Sequence, residues 1–133
     1  MLESDDPVYL TFEDALAIHA AVIGSTAAQA ADHLRSPSGL EGALARPASY
    51  ASYQEADIAL QAAVLAHGIA ETQAFIDGNK RTALIAMLTF LEVNGWAVSA
   101  EDSELAAWII GFSRGETTED LASRLRRRLR ELA

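Results

Sequence analysis

The segment that most constrains the fold runs from about Asn79 to Val93 and is apolar nearly all round. A helix with one polar face lies at a protein surface, whereas a helix that is apolar on every side is enclosed by its neighbours. The segment follows Gly78 and stops at Asn94-Gly95, a pair that is typical of helix ends. The sequence therefore predicts a central buried helix around which the other elements pack.

The remaining elements are also predicted to be helices. Helical periodicity or helix-start signals mark residues 12–23, 38–44, 57–69, 103–112 and the stretch after Thr118, with Thr11 as a predicted N-cap and Gly24 as a stop. The helix over residues 38–44 is expected to end before Pro47, and residues 47–53, between Arg46 and Gln54, are predicted to be irregular. No segment shows convincing strand alternation. We expect an all-α fold, a compact bundle of about six helices in a single domain over residues 1–133.

The composition, above all the net charge, argues against one class of function. The 133 residues include no cysteine, and the formal net charge is −9. This charge argues against direct nucleic-acid binding, which usually needs a basic surface. Five arginines crowd the last helical segment, and we interpret them as a solvated face that complements the helix dipole, with docking of an acidic partner as the alternative. They are Arg124, Arg126, Arg127, Arg128 and Arg130.

The first residues do not resemble a signal peptide. The acidic start, Met1 to Asp6, lacks the basic region and apolar core of a signal peptide. The longest strongly apolar run, residues 83–93, is shorter than the ~20 residues of a membrane span. We expect a cytoplasmic protein without a membrane partner.

The stretch from Gln73 to Thr82, Gln-Ala-Phe-Ile-Asp-Gly-Asn-Lys-Arg-Thr, carries the chemistry, and it contains the only lysine of the chain, Lys80. The first backbone N–H groups of a helix lack internal partners and carry partial positive charge. With Lys80 and Arg81 they form a candidate phosphate site. Asp77 offers a hard oxygen ligand for Mg²⁺.

Each of these residues has a simpler alternative role. Asn79 or Asp77 can act as a helix N-cap, and Arg81 can pair with a surface carboxylate. Phe75 and Ile76 are interpreted as core anchors that fix the loop. The three histidines show no zinc-ligand spacing, and His67 is interpreted as a structural side chain rather than a reserve base.

Residues 73–82 resemble the signature of the Fic/Doc family, His-x-Phe-x-Asp/Glu-Gly-Asn-Gly-Arg-x-x-Arg. The similarity is greater to the Doc branch, the toxins of death-on-curing modules, in which lysine replaces the second glycine and Arg-Thr-Ala-Leu follows. This chain has Lys80 and then residues 81–84 in that order, and Asn94-Gly95 further on. Residues 38–41 and Ala45-Arg46-Pro47 resemble the Doc segment upstream of the active site.

The resemblance implies a fold, an activity and partners. It implies an all-α toxin of a toxin–antitoxin module that transfers phosphate from ATP to a threonine of elongation factor Tu and arrests translation. Gly78, Asn79, Lys80 and Arg81 would bind the phosphates, Asp77 would hold Mg²⁺, and Phe75 would anchor the motif. The implied protein partner is a Phd-like antitoxin that inserts a helical segment into a groove of the toxin.

Transfer of AMP is the alternative chemistry within the family. In the AMP-transferring branch a glycine occupies the position of Lys80, and a second arginine occupies the position of Leu84. The lysine would fill space that the nucleotide's phosphates need in that orientation, and the leucine removes one phosphate contact. Both residues favour phosphate transfer.

Gln73 is the important departure from the family pattern, because the family's catalytic histidine falls at this position. A glutamine amide cannot act as a general base, and losing a positioned base typically costs on the order of 10²–10⁴ in rate. We expect this chain to be catalytically disabled. Either the histidine was replaced deliberately in a toxic protein, which the otherwise intact motif favours, or the chain is a natural degenerate member of the family. A non-catalytic protein that binds a nucleotide or a partner is the further alternative for its function.

Tyr50 and Tyr53 lie in the stretch predicted to be irregular. In Fic proteins a flap near this region aligns the target peptide by backbone pairing. The resemblance makes residues 46–53 a candidate flap or partner-binding edge, and an ordinary loop whose tyrosines fill the core is the equal alternative.

Overall fold

The computed structural model describes residues 6–133, apart from the side chain of Ala27. The first five residues, on which the expectation about targeting partly depends, lie outside this range. The elements in chain order are α1 (Phe12–Ile23), α2 (Ala27–Asp32), α3 (Pro37–Gln54), α4 (Ile58–Thr72), α5 (Asn79–Val93), β1 (Trp96–Val98), α6 (Asp102–Ile110), a 3₁₀ helix (Gly111–Arg114), α7 (Thr118–Arg128) and β2 (Leu129–Glu131). The predicted all-α bundle is confirmed.

Several helix ends follow the local signals. The Thr11 hydroxyl accepts a hydrogen bond from the Asp14 backbone N–H at 3.0 Å and begins α1, which ends at Gly24 in the left-handed conformation. Helix α4 begins one residue after Asp57, whose carboxylate caps it. In residues 6–133 no helix combines the length and apolar composition that crossing a bilayer requires.

The prediction of a short helix over residues 38–44 followed by an irregular stretch is wrong. A single helix, α3, begins at Pro37, where the Ser36 hydroxyl caps it, and continues to Gln54 with Pro47 inside. A proline in a helix removes one backbone hydrogen bond. Pro47 is itself buried, so its packing against the bundle offsets the missing bond.

The helix at the centre of the bundle is α4 rather than the predicted α5. Eleven of its fifteen residues are buried, and it packs against α3, α5 and α7. Small side chains permit this close packing: a Cβ atom on Gly68 would lie 2.8 Å from the Cβ atom of Ala43 in α3. Helix α5 lies beside this centre and leaves Ile85 and Val93 partly exposed.

One helix and two short strands were not expected. Helix α2 has only six residues and no apolar periodicity, and the Thr26–Gln29 capping box begins it. Strands β1 and β2 form a short antiparallel ribbon in which Trp96 faces Glu131. The expectation of no strands is wrong here, because three-residue strands far apart in sequence carry no local signal.

The C-terminal arginines largely pair within the chain. Arg126 donates to the Asp57 carboxylate at 2.7 Å, Arg124 pairs with Glu116, and the Arg128 guanidinium lies 5.6 Å from the centre of the Trp108 ring. These contacts attach α7 to α4, α6 and the preceding turn. Three of the five arginines are engaged within the chain, which disfavours a free docking surface, and Arg127 and Arg130 are exposed, as the prediction of a solvated face expects.

Candidate functional site

The motif loop, residues 73–78, connects α4 to α5 and lies between two left-handed backbone positions. Gln73 caps the C-terminus of α4 with φ 50°, and Gly78 precedes α5 with φ 75°. Gly78 is the N-cap of α5, and no side chain of residues 6–133 caps the start of this helix. The alternatives in which Asn79 or Asp77 is the N-cap are therefore wrong.

A buried aromatic pair supports the motif loop from below. The Phe75 ring is fully buried and stacks on the His19 ring of α1, with the centroids 3.7 Å apart and the planes at 5°. His19 Nε2 donates a hydrogen bond to the Asp77 carbonyl oxygen at 3.0 Å. A Cβ atom on Gly78 would contact Ile23 of α1 at 3.1 Å. These contacts with α1 fix the position of the motif loop.

The Asn79 side chain closes the motif loop. Its Oδ1 accepts from the Phe75 backbone N–H at 3.0 Å, and its Nδ2 donates to the Phe75 carbonyl oxygen at 2.9 Å. Both polar backbone groups of a fully buried residue are thereby satisfied. The amide is committed to the loop, so only the backbone of Asn79 remains to meet an anion.

The segment between α2 and α3 pairs with the other side of the motif loop. The backbone N–H groups of Arg35 and Ser36 donate to the Ala74 carbonyl oxygen at 2.6 and 2.9 Å, and the Ile76 N–H donates to the His33 carbonyl oxygen at 2.9 Å. The loop is therefore held by main-chain bonds as well as by side chains.

A cleft of about 370 Å³ opens above the motif loop, and we call it the motif cleft. Most of the predicted site residues line it. Its lining consists of Ala70, Gln73, Ile76, Gly78, Asn79, Lys80 and Arg81. Phe75 lies beneath the cleft, and the exposed Asp77 side chain is not part of the lining. The structure thus places the catalytic-base position in the same cleft as the predicted phosphate site.

The motif cleft is electropositive. Lys80 is exposed and forms no ion pair with a carboxylate of residues 6–133. Arg81 donates to the Val22 carbonyl oxygen at the end of α1 at 3.0 Å, which orients the guanidinium and leaves its charge uncompensated. The uncapped start of α5 adds a partial positive charge. The cleft is therefore suited to an anion.

Gln73 itself is held by Arg35, a residue that sequence reasoning missed. Arg35 donates to the Gln73 carbonyl oxygen from Nε at 3.4 Å and from a terminal nitrogen at 3.3 Å, and the same nitrogen lies 3.3 Å from Gln73 Oε1. His19 was missed as well, because its place on α1 gives no local signal of contact with Phe75.

Metal ligands are sparse around the cleft. In the described part of the chain, no group of three His, Asp or Glu side chains converges as a ready metal site. Asp77 offers one carboxylate. Such a site fits Mg²⁺ that arrives with phosphates, since Mg²⁺ is often held by one or two carboxylates plus substrate oxygens and water.

His67 does not reach the motif cleft. Its Nδ1 accepts from Arg46 of α3 at 3.2 Å, and its ring packs edge-on to Phe112. Burial lowers the pKa of His67, and the charge of Arg46 lowers it further. It has the surroundings of a structural histidine.

The predicted flap at residues 46–53 does not have flap geometry. These residues form the second half of α3, whose backbone groups bond within the helix and not to an incoming peptide. Tyr50 packs partly against the core, whereas Tyr53 is 87% exposed. The alternative in which both tyrosines fill the core is correct only for Tyr50.

A second depression, which we call the apolar groove, lies between α1, α5 and α6. It has a volume of about 500 Å³, and Ile18, Val22, Leu84 and Ile85 form part of its wall. Arg81 lines both the apolar groove and the motif cleft. Leu84, by contrast, lines the apolar groove and is not part of the lining of the motif cleft.

Comparison with known proteins identifies one family. The model of the Fic/DOC family matches residues 9–91, more than half of the chain, from just before α1 to the last turn of α5. The match includes the motif loop, His19 and Arg35. A search of curated proteins returned no match.

Proposed function

This chain belongs to the Fic/DOC family, and we propose that its motif cleft binds ATP and, with a histidine at position 73, transfers phosphate to a protein hydroxyl. One observation carries the proposal. Position 73 lines the same cleft as Gly78, Lys80 and Arg81, so a base and a phosphate would meet there. The chain as it stands binds the nucleotide but does not transfer phosphate.

The phosphates are held by charge and by backbone. Lys80 supplies a mobile ammonium group, and Arg81 supplies a guanidinium that its bond to Val22 already orients. The start of α5 has no side-chain cap, and its first residues line the same cleft, so their backbone N–H groups are candidates to bind the phosphates. In phosphoryl transfer, positioning and charge stabilisation provide most of the catalysis.

Mg²⁺ would be held by Asp77 together with the phosphates, where it would neutralise charge on the phosphate oxygens. The motif loop fixes the main chain of Asp77 through His19 and leaves its carboxylate exposed. The Asp77 side chain does not line the cleft but directly precedes Gly78, which does, so Mg²⁺ on its carboxylate would meet the phosphates at the edge of the cleft.

The missing step is proton removal. In the transfer, the target's hydroxyl oxygen bonds to the γ-phosphorus, the bond to the bridging oxygen breaks, and ADP leaves. The hydroxyl proton must pass to a base, and the Gln73 amide cannot accept it. Its oxygen is moreover within hydrogen-bonding distance of Arg35. The amide explains inactivity without any loss of the anion site.

Phosphate transfer is favoured over AMP transfer by two side chains. Lys80 occupies the motif cleft, where it crowds the orientation that brings the α-phosphate to the base. Leu84, at the position of the AMP-transferring branch's second arginine, faces the apolar groove and contributes no charge to the cleft. We therefore assign the chain to the Doc-type toxins.

The proposed target is a translation factor, elongation factor Tu, and the proposed regulator is a Phd-like antitoxin in the same cytoplasm. The apolar groove has the shape and chemistry to receive the apolar face of a helix. A helix lying there would pass Arg81, which also lines the motif cleft, so bound antitoxin would sit beside the active site.

Calorimetry with ATP and Mg²⁺ tests the binding half of the proposal. Lys80→Ala and Arg81→Ala should each weaken binding by about 10–150-fold, the equivalent of ~1.5–3 kcal/mol for one charge-assisted hydrogen bond. Arg127→Ala, on the exposed face of α7, removes the same charge and should leave affinity unchanged. Equal affinity in all four proteins would place the nucleotide elsewhere.

Expression of Gln73→His without antitoxin tests the catalytic half. The variant should arrest growth and translation, whereas the parent chain should not. Gln73→Asn provides a matched control, because it changes the side chain without adding a base. Normal growth of the Gln73→His strain at equal expression would favour a non-catalytic binding protein.

A further inference from the structure

Arg35 lies outside the motif yet contacts the side chain at the catalytic position. Its guanidinium spans the Gln73 carbonyl oxygen and Oε1 at 3.3–3.4 Å, while its own backbone N–H donates to the neighbouring Ala74 carbonyl oxygen at 2.6 Å. Both ends of one residue therefore hold the start of the motif loop.

The carbonyl contacts do not depend on the side chain at position 73. Gln73 adopts a left-handed backbone conformation, which is uncommon for residues other than glycine. The Arg35 guanidinium binds the carbonyl oxygen of this strained residue, and it would do so equally if the side chain were an imidazole.

We propose that Arg35 is a positioning residue, which locks the backbone of residue 73 and places a fixed positive charge beside the catalytic base. This inference rests on the proposed function. A cation within a few ångströms disfavours protonation of an imidazole. Arg35 would thus increase the fraction of the base in the Gln73→His form that is neutral and able to accept a proton.

Other charged groups surround position 73 and act on the same base. Lys80 and Arg81 line the cleft from α5, Glu71 lies two residues earlier on α4, and Asp77 lies at the other end of the motif loop. These groups remain the same in the variants compared below, so a difference between the variants reports Arg35 alone.

NMR titration of the imidazole at position 73 tests the proposal in the full chain. In the Gln73→His background, Arg35→Gln should raise the pKa of this imidazole by about 0.5 unit, the effect of one charge at about 4–6 Å in a watery medium. Arg35→Lys retains the charge and should leave the pKa within about 0.2 unit of the starting value. The acid limb of the phosphate-transfer rate should move with the pKa.

Arg127→Gln is the control for net charge. Arg127 lies on α7 next to Arg126, which pairs with Asp57 at the start of α4. Position 73 follows the other end of α4. The two ends of this 15-residue helix are roughly 22 Å apart at 1.5 Å per residue. An unchanged pKa in Arg35→Gln, or an equal shift in Arg127→Gln, would overturn the proposal.

Arg35→Met keeps the long apolar stem of the side chain and covers the event that Arg35→Gln does not fold. It removes the same charge and should raise the pKa of the imidazole in the Gln73→His background by the same amount. An unchanged pKa in Arg35→Met would overturn the proposal. These pKa measurements need no kinase activity, so a shifted pKa without phosphate transfer would sink the proposed function and leave the role of Arg35 intact.

Discussion

A comparison of Asn79→Ala with Asn94→Ala should separate the effect of motif-loop geometry on ATP binding from the effect of overall stability. The Asn79→Ala change removes two hydrogen bonds, at 3.0 and 2.9 Å, and leaves the N–H and carbonyl of the fully buried Phe75 without partners. Each bond contributes about 1 kcal/mol, and unsatisfied buried groups cost about 1–3 kcal/mol, so we expect a loss of about 2–4 kcal/mol in the free energy of unfolding. Urea denaturation measures this loss.

The loop that Asn79 closes carries the nucleotide site, so binding should fall as well. Under conditions where the variant is folded, we expect at least a tenfold weaker affinity for ATP with Mg²⁺, or about 1.4 kcal/mol. Asn94→Ala is the matched control. Its side chain forms three hydrogen bonds at the other end of α5, to Val8 and Phe90.

Asn94→Ala should therefore lower stability by about 1–3 kcal/mol and leave affinity for ATP unchanged. Two results would refute the reasoning. One is an Asn79→Ala protein that binds ATP as well as the parent chain. The other is an Asn94→Ala protein that loses affinity to the same extent, which would make binding a consequence of overall stability.

Two further predictions concern the bundle. The hydrogen bond from Arg126 lowers the pKa of Asp57 below its ordinary value of 3.8, so the pair stabilises the fold above that value and loses its effect as the pH falls through the lowered pKa. The difference in urea midpoint between the parent and Asp57→Asn, which keeps a capping side chain, should be constant above about pH 5 and shrink below about pH 4; a difference that persists at low pH would contradict this. Gly68→Ala should cost about 1–3 kcal/mol because its Cβ atom would meet Ala43 at 2.8 Å. Gly42→Ala, with open space around it, should gain about 0.5–1 kcal/mol, and thermal unfolding of both variants measures the contrast.

The sequence predicted the parts of the fold that local chemistry determines. The start and end of α1 follow from Thr11 and Gly24, and the start of α5 follows from Gly78. Capping interactions involve residues within one or two turns of the helix end, so these helix ends can be predicted from the local sequence alone.

Tertiary packing decided the rest. Pro47 looks like a helix breaker in isolation, yet it is buried within α3. The central position of α4 depends on alanines and Gly68, which permit close approach but show no strong hydrophobic pattern. The ribbon of β1 and β2 pairs residues more than thirty positions apart.

The candidate site also has a part that the sequence predicts and a part that depends on tertiary packing. The residues of the motif are contiguous, so the sequence alone places Gln73, Gly78 and Lys80 in one predicted site. The contacts of His19 and Arg35 with the loop come from other elements, 58 and 38 residues distant. The sequence around His19 and the sequence around Arg35 contain no pattern that predicts a contact with the motif loop.

The central claim is that the motif cleft presents the γ-phosphate of ATP to the residue at position 73. The most direct measurement is the intact mass of purified elongation factor Tu after incubation with ATP, Mg²⁺ and the Gln73→His protein. A phosphate-sized increase, located on a threonine and absent with the parent chain, is the predicted result. An AMP-sized increase would show that Lys80 does not set the orientation of the nucleotide, and the proposed mechanism would be wrong even though the chain belongs to the family.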